Sequence, residues 1–296
     1  MIRSHKGIFQ SLRYQVGSRV ILIVAPLLLM LIFGINYATD VVLNQVALSN
    51  RSLIALYVQQ IDQYLGEADN YLYSIIAKDT DLTIMDVPGT SRSRDYHMAK
   101  IRLNNKLTTD IVNYRHIDAF FVYSSTNDDL LTTGNREGTY EKFQAVRTDI
   151  REMFRDSDTL EAECLKLWCV RNLANHHYLV RVAKIANVYI GAWINVEKLM
   201  IPMQLVNFGK TGSAVLTSSE FEPIANREYI RDKDIDLRVS QASYVLSGHK
   251  GKYLVVGVQS NASDYYLFAG RRGTFPDFFP DHAAPDSAGV RHLRHH

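Results

Sequence analysis

The chain has 296 residues, with 33 Lys+Arg against 31 Asp+Glu, 47% apolar residues and two cysteines. This is too apolar and too nearly neutral for a disordered chain, and a formal charge of +2 excludes a strongly basic nucleic-acid binder. Two cysteines can build neither a four-thiolate zinc site nor a disulfide scaffold, so folding rests on hydrophobic cores.

Residues 20–39 carry no charge, and Val20 to Ile35 is almost unbroken hydrocarbon. At about 1.5 Å per residue the run spans roughly 30 Å, a bilayer core. Membrane helices tolerate Pro26 and Gly34 because neighbouring groups re-satisfy the backbone. Arg3, Lys6, Arg13 and Arg19 precede the run, and the first acidic residue is Asp40. The positive-inside rule then places residues 1–19 in the cytoplasm and everything after about residue 40 outside, in a single-pass topology. A cleavable signal peptide shares the basic-then-apolar pattern. Against it, the run is long for such a peptide, and Ile35-Asn36-Tyr37-Ala38-Thr39 carries no small-x-small cleavage pattern.

Beyond the anchor, Leu43, Ala47, Leu53, Ile54, Tyr57, Ile61, Leu65, Ala68, Leu72 and Ile75 recur mostly three or four apart. The spacing predicts one long amphipathic helix over 41–78. Its apolar stripe calls for a covering domain, and near the membrane for a second copy of the chain in a coiled-coil-like seam. After the break at Val87-Pro88-Gly89, residues 93–113 resume a helix, with Met98, Ile101, Leu107, Ile111 and Val112 as the apolar set.

The period then changes. A hairpin is predicted at Ile117–Ser124 and Leu130–Thr133, a helix at Thr139–Arg155 capped by Thr139, and three strands at Leu165–Arg171, His177–Ile185 and Asn187–Ile194. Val196–Leu205 is a connecting helix. The same order recurs in shorter form: strands Ser213–Thr217 and Phe221–Ala225, a short helix at Tyr229–Ile235, and strands at Tyr244–Leu246, Lys252–Gln259 and Tyr265–Ala269. The expected class is α+β, with two tandem antiparallel-sheet units behind an anchor and a long helix. Cys164 and Cys169, five apart in a predicted strand, would point to opposite faces and stand as two separate thiols unless a turn intervenes.

This arrangement, with Ile117–Asn127 (IDAFFVYSSTN), Tyr189–Val196 (YIGAWINV) and Gly209–Thr217 (GKTGSAVLT), resembles the double Cache sensor region of bacterial receptors, built of PAS-like units. Leu82–Ser124 resembles the outer domain of sensor histidine kinases of Gram-positive bacteria. The resemblance covers about residues 1–269. It implies a small-molecule pocket on the sheet of a membrane-distal unit (40–200), a membrane-proximal unit (201–269), and a homodimer that passes a helix displacement through the bilayer. It also implies a second membrane helix, a linker and kinase domains after residue 269. Residues 270–296 instead lack Lys, Ile, Tyr, Asn, Gln and Glu and hold four of the ten histidines, a break that suggests a disordered tail left by a frameshift or truncation.

No catalytic constellation stands out. Gly209-Lys210-Thr211 lacks the upstream glycine of a phosphate loop, no His-Glu-x-x-His pair is present, and His292, His295 and His296 are a clustered tail rather than a ligand set. No enzyme activity, cofactor, metal or nucleic-acid partner is expected. The candidate ligand residues are Tyr123, Trp168, Arg181 and Trp193, with Arg171 and Tyr178 nearby: aromatic walls and a guanidinium suited to a small polar metabolite. The bland alternative pairs Arg181 with a buried acid and puts both tryptophans in the core. The arginine-tryptophan-tyrosine pattern of amino-acid-binding Cache domains has no match, which argues against an amino-acid ligand.

The expected function is thus a membrane-anchored extracytoplasmic sensor of a two-component receptor. The input half of a membrane-bound transcription regulator or a chemotaxis receptor is the alternative. A tethered exported enzyme would need clustered titratable residues that the sequence does not display. Residues 40–269 hold 25 basic and 28 acidic residues, so the basic balance belongs to the two termini.

Overall fold

The computed structural model describes residues 5–134, 140–155, 164–173, 176–208, 212–231, 237, 244–248, 251–263 and 265–273. Thr139, Gly209-Lys210-Thr211, most of the predicted 229–235 helix and nearly all of the tail lie outside them. Two compact units divide at Ser49 and Asn50.

Helix α1 (His5–Lys78) begins in the first unit. Its apolar side chains from Val20 to Ile35 are exposed, Pro26 sits inside the helix, and the Thr39 hydroxyl donates back to the Ile35 carbonyl at 2.8 Å. Among the described residues, this is the one helix long and apolar enough to cross a membrane.

In the second unit, Ile54, Val58, Ile61, Leu65, Ala68, Leu72 and Ile75 of α1 are buried, three or four apart, with Val58 in the place the spacing gave to the half-buried Tyr57. Leu53 is exposed and does not join them. After α2 (Asp81–Met85), Gly89 turns the chain at φ 70°, a conformation glycine adopts without steric cost. Ser93 then caps α3 (Arg94–Asp110), its hydroxyl accepting from the Tyr96 amide at 3.2 Å. The buried face of α3 is Tyr96, Ala99, Leu103 and Leu107, continued by Ile111. Met98, Ile101 and Val112 are exposed, which corrects the expected apolar set. The true stripe includes Ala99 and the ring of Tyr96, which a count of large aliphatic residues alone passes over.

The class is α+β. Strands β1 (Ala119–Ser124), β2 (Asp129–Gly134), β3 (Cys169–Leu173), β4 (His176–Ile185) and β5 (Val188–Asn195) form an antiparallel sheet in the order β2-β1-β5-β4-β3, with α4 (Tyr140–Arg155) between β2 and β3. Helix α5 (Val196–Gln204), capped by the Asn195 side chain accepting from the Glu197 amide, leads onward. Strands β6 (Ser213–Ser218), β7 (Pro223–Ala225), β8 (Tyr244–Gly248), β9 (Gly251–Gln259) and β10 (Tyr265–Gly273) then form a second sheet ordered β7-β6-β10-β9-β8, with α6 (Arg227–Arg231) after β7. The two orders are the same once each sheet is numbered from its own first strand.

The central strands β1 and β5 are buried along their whole length, so both faces of the first sheet are covered. Tyr71 of α1 packs on Phe120 from one side, with ring centroids 4.9 Å apart. Val146 and Ile150 of α4 pack from the other. The chain reverses between β4 and β5 at Ala186, φ 50°, and Asn187.

One expectation fails at β3. The strand predicted from Leu165 begins only at Cys169, because residues 165–167 turn, and Cys164 and Cys169 form a disulfide with Cα atoms 5.1 Å apart. The opposite-faces argument holds only for continuously extended residues. The turn brings the two sulfurs together and overturns the separate-thiol reading.

Candidate functional site

The sheet register sorts the predicted ligand residues onto two faces. Trp193 pairs with Ala119 and Val180, and Tyr123 with Tyr189. These residues share the face beneath α4, in one cluster with Phe121, Val182 and Tyr178. Arg181 pairs with Ala192 and therefore faces α1.

Beneath α4 the rings form a continuous row. Phe143 and Phe121 each lie 5.8 Å from Trp193, Phe154 lies 5.9 Å from Phe121, and Phe154 stacks on Tyr123 at 4.9 Å and contacts Tyr189 at 4.9 Å. Gly191 makes this packing possible, because a Cβ there would overlap the Phe121 ring and the Arg181 carbonyl. Polar groups rim the row. The Tyr123 hydroxyl donates to Asp128 at 3.2 Å, and Arg151 of α4 pairs with the same carboxylate at 3.0 Å. The Lys184 ammonium lies 4.7 Å from the centre of the Tyr189 ring. Arg171, half-buried on β3, pairs with Tyr178 and lies on the same side of the strand as Cys169 and Leu173, which puts it on the ring-lined face. Burial, with Asp118 and Glu197 nearby, pushes the Tyr178 phenol up to about 12.

The α1 face works differently. Arg181, 3% exposed, donates from Nε to Asp69 at 3.0 Å, from Nη1 to the Cys164 and Val182 carbonyls at 2.9 Å each, and from Nη2 to the Tyr73 hydroxyl at 2.9 Å. Four donor contacts occupy the fork, with the part-exposed Asp69 as its acidic partner. Burial raises the Asp69 carboxyl above its ordinary range against the opposing pull of Arg181. Trp168, fully buried, precedes β3 and forms an isolated parallel bridge to Ser263 of the second sheet's last turn. The four candidates therefore separate: Tyr123 and Trp193 lie under α4, Arg181 lies between the first sheet and α1, and Trp168 lies against the second sheet's last turn. Sequence reasoning gave no role to Asp69 and Asp62 of α1; the signal available was two acids seven residues apart on the helix's buried side.

Among the described residues, no three His, Cys, Asp or Glu side chains converge as a metal group. The rings under α4 pack as one hydrophobic core, with Trp193 2% and Tyr123 4% exposed, and the charges of Asp128, Arg151 and Lys184 stand at its rim.

No family model matches the chain, and no curated protein does. Solved structures do. The ligand-binding domain of the Campylobacter jejuni chemoreceptor Tlp3 in complex with L-valine aligns at a TM-score of 0.50 with 10% identity, over 79% of this chain and 96% of that one. The corresponding domain of the Pseudomonas aeruginosa PAO1 amino-acid chemoreceptor PctC, in complex with GABA, aligns at 0.48 with 9% identity, over 78% and 99%. An extracellular domain assigned to the histidine kinase rpHK1S-Z16 aligns at 0.46 with 12% identity, over 75% and 92%. At the TM-score of 0.50 the chain shares the overall fold of the Tlp3 ligand-binding domain.

Proposed function

We propose that the chain is a membrane-anchored, extracytoplasmic small-molecule sensor module of a bacterial two-component receptor, with a double Cache ectodomain. The observation that carries this reading is the repeated strand order of the two sheets, the first with a ring-lined face between strands and α4. Residues 1–19 are cytoplasmic, 20–39 cross the bilayer, 40–200 hold the long helix and the distal unit, and 201–269 form the proximal unit. The chain works as a homodimer through α1, whose Leu48, Leu53 and Leu56 are exposed.

The ligand site is the α4 face, with Tyr123 and Trp193 as aromatic walls. Arg171, on the same face as these rings, is the guanidinium placed to match an anionic group. Thermal unfolding of the full chain in detergent, against amino acids, organic acids, amines and sugars, tests this. A compound bearing an anionic group raises the melting temperature in a saturable way, and Arg171→Gln weakens that response. A full set of compounds that leaves the melting temperature unchanged contradicts the reading.

A further inference from the structure

We propose that the Cys164–Cys169 disulfide ring is a redox-sensitive clasp that ties both sheets to α1. At one end of the ring, the Cys164 carbonyl accepts from Arg181, which is held by Asp69 and Tyr73 of α1. At the other end, the Trp168 amide donates to the Ala262 carbonyl at 3.4 Å, and the Ser263 hydroxyl donates to the Trp168 carbonyl at 2.5 Å. That β9–β10 turn is itself held by α1. Asp62 accepts from the Ser260 hydroxyl at 2.6 Å, the Asn261 amide at 2.9 Å and the Tyr265 hydroxyl at 3.3 Å. Asp62 and Asp69 are two helical turns apart, about 10 Å along the axis. The path from Asp62 through the turn, Trp168, the disulfide and Arg181 back to Asp69 is closed, and the disulfide is its one covalent cross-link.

The cross-link holds the Cα atoms at its two ends 5.1 Å apart, so the carbonyl gripped by Arg181 and the backbone gripped by the turn move together. Without it, they are joined only by a short loop free to explore other conformations. Cys164 is fully buried and Cys169 partly exposed, which makes the Cys169 sulfur the point of attack. A thiolate of an external dithiol attacks Cys169 Sγ and displaces the Cys164 thiolate. The second thiol of the reagent then attacks the mixed disulfide and releases Cys169. Two electrons and two protons pass to the cystine, and the dithiol leaves as its cyclic disulfide.

The consequence for signalling rests on the sensor reading, but the clasp stands on geometry and is tested without a ligand. Amide hydrogen exchange is followed on the full chain in detergent, before and after dithiothreitol. Reduction accelerates exchange at Trp168 and at 261–263 at least tenfold and leaves β1 and β5 unchanged. Ser263→Ala with the disulfide intact accelerates the same amides, and reducing that variant adds little further. Unchanged exchange at 261–263, acceleration of β1 and β5 together with them, or additive effects of Ser263→Ala and reduction each overturn the clasp. Cys164→Ser/Cys169→Ser reproduces the reduced pattern. If that variant does not fold, the reagent and Ser263→Ala arms decide alone. Failure of the clasp leaves the thermal-shift result untouched, and failure to find a ligand leaves the exchange result untouched.

Discussion

Arg181 of β4 and Asp69 of α1, 112 residues apart in sequence, meet at 3.0 Å with the guanidinium buried and the carboxylate side chain 29% exposed. Removing one partner of a fully buried pair costs about 3–5 kcal/mol, because the other charge is stranded. The exposure of Asp69 lets water reach the stranded charge and lowers that figure, so Asp69→Ala costs about 2 kcal/mol in urea unfolding of the full chain. Arg181→Met on top of Asp69→Ala recovers part of the loss. A double variant less stable than the sum of the two singles contradicts the pairing.

Gly191→Ala forces a methyl into the Phe121 ring and the Arg181 carbonyl. The ring can tilt, but the carbonyl belongs to the neighbouring strand and cannot, so the substitution costs about 1–3 kcal/mol by overpacking. Gly66→Ala, where a Cβ meets nothing within 4 Å, is the control and is neutral or stabilising. Melting temperatures of the two variants check the contrast.

A pH dependence follows from His177, which contacts the guanidinium of Arg227 across the two sheet units at 2.6 Å. Burial lowers its affinity for a proton below the ordinary value of 6.5, as do Arg227 and His176, while Glu197 acts the other way. The unfolded chain therefore binds this proton more readily than the folded chain. The contact is intact above about pH 6.5 and is progressively lost as the pH falls below it. His177→Gln flattens the fall in melting temperature between pH 7 and pH 5. A slope unchanged by the substitution would show that other groups carry it.

On α3, Leu103→Ala opens a cavity and costs about 2–4 kcal/mol. Ile101→Gln changes an exposed side chain and stays within about 0.5 kcal/mol. Comparable losses from both would restore the apolar set expected from the sequence.

These elements show where sequence was sufficient. The α1 stripe was legible from Ile54 to Ile75 because a long run of three- and four-residue spacings leaves one solution for the buried face. The strand order was legible in outline, since alternating segments and turn residues such as Ser260-Asn261-Ala262-Ser263 separate the strands. The site was legible only in residue type. Tyr123 and Trp193 share a face and Arg181 does not, because one residue of register moves a side chain across the sheet. The Cys164–Cys169 bridge was hidden for the same reason, since three turn residues cancel an alternation argument that spans them. Asp62 and Asp69 drew no notice, because a carboxylate on a helix gains its role only from what packs against it.

The most direct measurement is the emission of Trp193, one of two tryptophans in the chain. In Trp168→Phe it is the sole reporter, and it sits in the ring row beneath α4. The account predicts a saturable change in this emission with the same compound that raises the melting temperature, at the same midpoint, and its loss in Tyr123→Ala. A compound that stabilises the chain while Trp193 emission stays constant would place the binding site elsewhere and contradict the assignment.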